Sequence, residues 1–180
     1  TVANTWYFLQ ATYVGTTVTF YVNGASQGTA SVGSPSSNTN KDFYVLSMSN
    51  VTHAGNASNV RLSSVARSTS LPTDKFTSDS DTELLICQSN RFVDNGPDGH
   101  TITTTAGAAV SAFGPFLTTS VYDPAVNGAS AYFDGADDFL TVSDSADLTP
   151  GNTFTFDAWI YPKALNNYNT IMSQDGSTGY

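Results

Sequence analysis

The stretch Thr17-Val-Thr-Phe-Tyr-Val-Asn-Gly24 decides the fold class of this chain. Polar and apolar side chains alternate along its first six residues, which places Val18, Phe20 and Val22 on one face of a β-strand. Its last two residues tolerate the positive φ angles that a tight type I′ turn requires. Residues 25–32 can then return beside the strand, so this part of the sequence predicts an antiparallel hairpin.

The same period of two recurs along most of the chain. The clearest further example is Thr153-Phe-Thr-Phe-Asp-Ala-Trp-Ile-Tyr161, whose even-numbered residues form an apolar face. Patterning supports at most one helical turn, near residues 145–148. Many short strands joined by Gly, Asn, Asp and Pro turns predict an all-β fold, an antiparallel β-sandwich of the jelly-roll kind. The other predicted strands are residues 6–13, 43–48, 59–65, 82–88, 100–105, 129–133, 139–142 and 170–174.

Composition excludes several classes of protein. The 180 residues carry six Lys and Arg against fifteen Asp and Glu, a net charge of −9, and no basic cluster that could bind nucleic acid. No apolar run approaches the ~18 residues needed to cross a bilayer, so we expect no membrane insertion. Charged residues make up only 12% of the chain, while 25 Thr and 22 Ser supply most of its polar surface. The single cysteine, Cys87, excludes an internal disulfide.

The chain divides at a stretch rich in Pro, Thr, Asp and Ser. Residues 1–73 have a net charge of +2 and residues 74–180 a net charge of −11. We interpret residues 74–81 as a linker between residues 1–73 and residues 82–180. The first residue is Thr rather than Met, which suggests a processed or partial chain.

The order of motifs resembles a known family. Residues 131–142 and 154–161 resemble the opening half of a laminin-G-like jelly roll, a member of the concanavalin A-like lectin/glucanase superfold. Residues 6–13, 17–24 and 59–62 resemble the closing half of such a domain. The resemblance implies that residues 1–73 form a closing half and residues 82–180 an opening half, with the halves in inverted order.

The inverted order leaves two interpretations open. The chain could hold the end of one repeat and the start of the next, or its halves could close on each other as one permuted sandwich. In either case we expect both apolar faces, around Phe20 and around Phe156, to be covered, because leaving either in water costs ~1.5–3 kcal/mol per large side chain. Of the possible covers, we favour a remainder of the chain or neighbouring copies over self-closure.

A narrower resemblance suggests a context. Residues 82–95, continuing to residues 113–116, resemble tandem repeats in structural proteins of tailed phages that infect marine bacteria. This implies a virion surface module, part of a tail fibre or capsid appendage, that contacts host-surface glycans outside the cell. Implied partners are other virion proteins or copies of the chain itself, as a homo-oligomer such as a trimer. The alternative is a purely structural spacer or decoration domain without a ligand. Candidate sugar-contacting aromatics are Tyr44, Tyr122, Tyr168 and Tyr180, but sequence alone does not place them.

The sequence predicts no enzyme. A retaining glucanase needs two carboxylates ~5–5.5 Å apart, usually alternating on one strand, and the nearest match is Asp79-Ser-Asp-Thr-Glu83 at the linker. We expect His53 and His100 to be exposed loop histidines without a charged partner, and Cys87 to be a buried structural thiol. We therefore assign no catalytic residue and keep a glycan-degrading enzyme as a remote alternative.

Metal binding is the open question among candidate sites. Asp134, Asp137 and Asp138 form an acidic turn, with Asp144 and Asp147 soon after, and Ca²⁺ prefers clustered oxygen ligands. The favoured interpretation is a hairpin turn whose carboxylates bind nearby backbone amides. We therefore assign no metal ligand and no cofactor, with Ca²⁺ near this turn kept as an alternative.

Overall fold

The structure, a computed structural model, describes residues 1–34, 41–48, 51–52, 54–117, 121–165 and 170–174. Its helical elements are short, a helical turn α1 (Pro124–Asn127) and a 3₁₀ turn (Ala146–Leu148). The strands are β1 (Tyr7–Val14), β2 (Thr17–Val22), β3 (Ala25–Ser31), β4 (Phe43–Val45), β5 (Ser47–Met48), β6 (Val51–Thr52), β7 (Ala54–Ser63), β8 (Thr82–Ile86), β9 (Ile102–Thr105), β10 (Ala109–Ser111), β11 (Ser130–Asp134), β12 (Phe139–Val142), β13 (Thr153–Pro162) and β14 (Met172–Gln174).

Two antiparallel sheets carry almost all of these strands. The large sheet has the order β10-β11-β7-β13-β1-β2-β3, and β8 pairs with the second half of β7, beyond the stretch that pairs with β11. The small sheet has the order β14-β4-β12-β9, while β5 and β6 pair only with each other. The prediction of an all-β antiparallel sandwich is therefore confirmed.

Strands from the two segments alternate within both sheets. In the large sheet β13 lies between β7 and β1, and it pairs with each of them along most of its length. In the small sheet β4 lies between β14 and β12. Residues 1–73 and 82–180 thus contribute neighbouring strands to one sandwich.

The main core lies between the two sheets. Phe156 of β13 is 9% exposed and packs there with residues from both segments. Phe20 of β2 faces the same side of the large sheet but is 51% exposed. Within this chain Phe20 is therefore not covered. The expectation that a remainder of the chain or neighbouring copies cover this face stays a prediction. Fully buried members of this core are Val45, Ala57, Val60, Leu84, Ala131, Phe133, Leu140 and Ala158.

Segments between the strands cover the opposite face of the large sheet. Phe76, which falls in residues 74–81, is 6% exposed and packs edge-on against Phe8 of β1, with ring centroids 6.1 Å apart. Phe116 packs edge-on against Trp159 of β13 at 5.6 Å. Together with Leu85 these rings form a second, smaller core, so the central strands of the large sheet are buried on both faces.

A buried ion pair lies on that second face. Arg61 of β7 donates two hydrogen bonds to Asp157 of β13, at 3.0 Å and 2.7 Å, and its guanidinium carbon lies 4.1 Å from the centroid of the Phe76 ring. Burial raises the pKa of Asp157, and the contacts with Arg61 oppose that rise. The residue directly opposite on the neighbouring strand therefore satisfies the charge.

Local details agree with the sequence where turns decide them. Asn23 and Gly24 both have positive φ, at 49° and 79°, as the predicted hairpin turn requires. The predicted strand at residues 43–48 is interrupted at Leu46, which has φ of 57° and separates β4 from β5. No helix in the described part of the chain is long and apolar enough to cross a membrane.

Candidate functional site

The outer face of the small sheet carries two aromatic side chains. Because directly paired residues share a face, Tyr44 of β4 lies on the same side as Thr141 of β12, and Phe139 lies two residues before Thr141. Their neighbours in the strands, such as Leu140, point into the core and are buried. The rings of Tyr44 and Phe139 therefore point away from the core, with centroids 5.9 Å apart and planes at 58°.

Hydroxyl groups surround the two rings. Thr103 of β9 pairs with Thr141, Thr105 pairs with Phe139, and Ser173 of β14 pairs with Tyr44, so all of these side chains share the outer face. Thr103 is exposed and the others are partly exposed. We call Tyr44, Phe139, Thr103, Thr105, Thr141 and Ser173 the aromatic platform. It combines flat apolar rings with small hydrogen-bonding groups on a rigid sheet.

The predicted acidic turn lies next to the platform. One carboxylate oxygen from each of Asp134, Asp137 and Asp138 falls within 4.8 Å of the others, so the turn has the spacing of a metal-ligand set. Asp138 is buried, and its carboxylate accepts hydrogen bonds from the backbone amides of Gly107 at 2.5 Å and Asp134 at 2.8 Å. These bonds tie the β11–β12 turn to the turn after β9, in line with the backbone-binding interpretation.

The other two predicted acids, Asp144 and Asp147, lie beyond the opposite end of β12. Asp147 belongs to the 3₁₀ turn beyond the opposite end of β12, where it meets Asp98 and His100. Nε2 of His100 lies 2.9 Å from Oδ2 of Asp147, and the His100 side chain is only 10% exposed. The expectation of an exposed histidine without a charged residue beside it is therefore wrong for His100. His53 lies outside the described residues.

Asp94 organises the loop that leads to His100, and sequence reasoning did not single it out. Its carboxylate accepts hydrogen bonds from the backbone amides of Leu85 at 2.9 Å, Gly96 at 2.7 Å and His100 at 3.0 Å. The signal was present in Asn95-Gly-Pro-Asp-Gly99, a dense run of turn residues that Asp94 immediately precedes.

The remaining candidates are the thiol Cys87 and the tyrosines Tyr122, Tyr168 and Tyr180. Cys87 is buried, as predicted, and burial raises the pKa of its thiol to about 12. Tyr122 is partly exposed, and burial also raises the pKa of its phenol. Tyr168 and Tyr180 lie outside the described residues.

Asp79, the first acid of the near-match at the linker, is bound to an arginine. Its two oxygens accept hydrogen bonds from Arg67 at 2.5 Å and 2.6 Å, and these bonds hold the pKa of Asp79 well below its usual range. The Asp79 carboxylate also accepts a hydrogen bond from the hydroxyl of Thr82 at the start of β8. This carboxylate therefore anchors the segment before β8.

A second aromatic cluster, which the sequence did not reveal, lies at one end of the large sheet. The rings of Trp6, Phe113 and Tyr161 meet there with centroids 4.8–5.5 Å apart. Nearby, a cavity of about 200 Å³ opens between the sheets, and its walls include Leu9, Leu46, Ile160 and Ile171. Those walls are mainly apolar, whereas the platform pairs its rings with hydroxyls.

Comparison with known proteins bears on the fold. Residues 1–71 match the family model of the concanavalin A-like lectin/glucanases superfamily, laminin G type. The matched residues include β1 to β7, which belong to both sheets, and β4 among them carries Tyr44 of the platform. No curated protein and no solved structure matches the chain.

Proposed function

We propose that this chain is a non-enzymatic carbohydrate-binding module and that the aromatic platform is its sugar-binding surface. The observation that carries the proposal is the pairing of Tyr44 and Phe139 on an outward sheet face bordered by hydroxyl side chains. The superfamily match over residues 1–71 supports it, since that superfamily includes lectins by name.

The chemistry of the platform suits a pyranose ring. One face of many sugars carries mainly C–H groups, which pack against an aromatic ring, while the hydroxyls around the sugar edge require hydrogen-bond partners. Tyr44 and Phe139 offer the rings, and Thr103, Thr141 and Ser173 offer groups that both donate and accept. Because the platform lies on paired strands, its geometry is fixed before a ligand arrives, which lowers the entropic cost of binding.

The negative charge near the platform indicates which class of sugar it prefers. Asp134 and Asp137 are exposed at one end of β12, and exposed Asp144 lies beyond the other end, where its backbone amide donates to Asp42. The chain as a whole carries −9. Carboxylates flanking a binding surface repel anionic ligands, so the preferred ligands are neutral glycans or glycans with amino sugars rather than sulfated or uronic-acid polymers.

Binding without hydrolysis is favoured by the carboxylates on the described strands. Glu83, Asp134 and Asp157 lie on three different strands, and Asp157 is buried against Arg61 on the far side of the large sheet. Glycosidases of the two-carboxylate type need both acids beside the scissile bond. The carboxylates beside the platform belong to the acidic turn, where Asp138 is bound to two backbone amides, and the platform itself offers rings and hydroxyls.

The biological setting extends the same proposal. The resemblance of residues 82–95 to phage structural repeats favours a virion surface, where the module adheres to host glycans as part of a tail fibre or capsid appendage. Copies of the chain or other virion proteins are the partners that setting implies. A spacer without a ligand is the competing function, and the binding experiment separates the two.

The experiment is a glycan array probed with the 180-residue chain and two variants. Y44A removes one platform ring, whereas Y21A removes an aromatic ring of the same kind from β2, which belongs to the other sheet. We expect binding to neutral or amino-sugar glycans, a loss of about tenfold or more in Y44A, and no change in Y21A. Circular dichroism checks that both variants fold. Absence of binding to every glycan would favour the spacer, and unchanged binding by Y44A would overturn the platform.

A further inference from the structure

We propose that Asp98, His100 and Asp147 form a binding site for a divalent transition-metal ion of the Zn²⁺ type. The site lies where the loop before β9 meets the 3₁₀ turn after β12, at the end of the small sheet opposite the acidic turn. It is independent of the sugar-binding proposal.

The three side chains converge closely enough to share one ion. One ligand atom from each residue, an imidazole nitrogen and two carboxylate oxygens, lies within 4.8 Å of the others. Zn²⁺ binds nitrogen and oxygen ligands at ~2.0–2.2 Å, so two atoms on opposite sides of one ion are separated by no more than about 4.4 Å. The upper separation of 4.8 Å exceeds this limit by about 0.4 Å, which a small adjustment of the side chains can close.

The imidazole gives an independent indication. The His100 side chain is nine-tenths buried, and its Nε2 atom is enclosed without a well-aligned hydrogen bond, although the Asp147 oxygen lies 2.9 Å away. In the neutral imidazole, an enclosed nitrogen that points toward carboxylates without a hydrogen bond is costly in a folded protein. A cation between the two groups would accept lone pairs from both the imidazole and the carboxylates and so remove that cost.

The surroundings hold the ligands in place before any ion arrives. Asp94 fixes the backbone amide of His100 at 3.0 Å. Leu148, the residue after Asp147, is buried in the main core and anchors the 3₁₀ turn. The hydroxyl of Ser145 donates to the Asp147 carboxylate. Partners of this kind orient metal ligands and raise affinity.

Ligand type distinguishes this site from the acidic turn. One imidazole with two carboxylates suits Zn²⁺, Co²⁺ or Ni²⁺ and is a poor match for Ca²⁺, which prefers six to eight oxygen atoms. Three protein ligands also leave room for a water molecule in the fourth position.

Metal titration of the full chain tests the site. The metal-free chain is titrated with ZnCl₂ by calorimetry and with CoCl₂ by visible absorption, where a tetrahedral site gives a characteristic d–d spectrum. We expect one Zn²⁺ per chain and a rise in melting temperature. H100Q should weaken binding at least tenfold, since loss of outer partners alone costs about 10–100-fold. D98N should weaken binding and leave the metal-free melting temperature unchanged, because Asp98 is exposed.

Two matched controls make the outcome decisive. H53Q removes the other histidine, and the pair D134N and D137N removes carboxylates from the acidic turn; both should bind Zn²⁺ as the original chain does. Absence of a Zn²⁺-dependent signal would overturn the proposal, and so would binding that survives H100Q or is lost in H53Q. If H100Q fails to fold, D98N still decides the question, because unchanged affinity in that variant contradicts the site.

Discussion

At the scale of single residues, the ion pair of Arg67 and Asp79 is short but partly exposed, which limits what it adds to stability. Arg67 contacts both oxygens of Asp79, and the Asp79 side chain is 47% exposed. Solvent therefore screens the pair, and its contribution to the free energy of unfolding should be small for so short a contact. Its interest lies in its pH dependence.

The pair should contribute its full stabilisation above the pH at which unfolded aspartate ionises. Hydrogen bonds from Arg67 lower the pKa of Asp79, so the stabilisation is complete above about pH 4 and declines as the pH falls further through the folded-state pKa. We expect D79N to reduce the free energy of unfolding by about 0.5–1 kcal/mol at pH 7. Urea unfolding between pH 2 and 7 measures the difference, which should shrink at the acid end.

A neighbouring carboxylate provides the control for that experiment. D81N removes a negative charge near Arg67 but leaves both Arg67–Asp79 hydrogen bonds in place. Its effect should be smaller than that of D79N at neutral pH. A D79N effect that stays constant down to pH 2 would contradict the assignment to this carboxylate.

Phe20 and Phe156 show which structural property could not be predicted from the sequence. Alternation placed Phe20 and Phe156 equally on apolar faces, yet one is 51% exposed and the other 9%. Alternation along a strand shows which side chains share a face. Whether that face is covered depends on a second sheet assembled from distant strands. The partnership of His100 with Asp147 was hidden for the same reason.

At the scale of elements, local turn chemistry was the most predictable feature. The hairpin of β2 and β3 was predicted from Asn23 and Gly24, and β13 differs from its predicted range by one residue. The platform was not predictable, because Tyr44 and Phe139 meet only through the pairing of β4 with β12. The sequence named Tyr44 as a candidate sugar-contacting residue but could not place it. It assigned Phe139 to a strand but not to a binding surface.

The β2–β3 turn offers a prediction for this element. Gly24 has φ of 79°, and a Cβ atom there would lie 2.7 Å from the carbonyl oxygen of Thr69. We expect G24A to lower the free energy of unfolding by about 1–3 kcal/mol, because it combines a strained backbone with a clash against another backbone. Chemical denaturation measures the change.

Gly151 provides the matched control for that substitution. A Cβ atom at Gly151 would meet nothing within 4 Å, and its φ is outside the positive range. G151A should therefore change stability by no more than about 0.5 kcal/mol. Equal effects of the two substitutions would show that the Gly24 geometry does not matter.

At the scale of the whole molecule, the two segments depend on each other for their hydrogen bonds. β1 and β7 from residues 1–73 flank β13 from residues 82–180, and β4 lies between β12 and β14. The Pro- and Asp-containing stretch between the segments contributes Phe76 to the second core. The fold class could be predicted from strand patterning, whereas this interleaving could not, because pairing between distant strands leaves no local pattern.

Separate expression of the segments tests this dependence. We expect residues 1–73 and residues 82–180 each to lack cooperative unfolding when produced alone, because their central strands lose partners on one or both sides. Circular dichroism and thermal melts of each segment, of their mixture and of the intact chain measure the outcome. A cooperative melt of either segment alone would show that it forms an independent unit.

The pairing of β1 with β13 also governs how the chain can fold during synthesis. Tyr7 pairs with Ile160, which leaves the ribosome roughly 150 residues later. At ~5–20 residues per second this is a delay of about 8–30 s. Throughout that interval the apolar strand β1 lacks its partner β13, within a stretch of 40 residues that contains no charged side chain. The nascent β1–β3 region is therefore where we expect chaperone contact and misassembly to concentrate, and slower translation would lengthen that exposure.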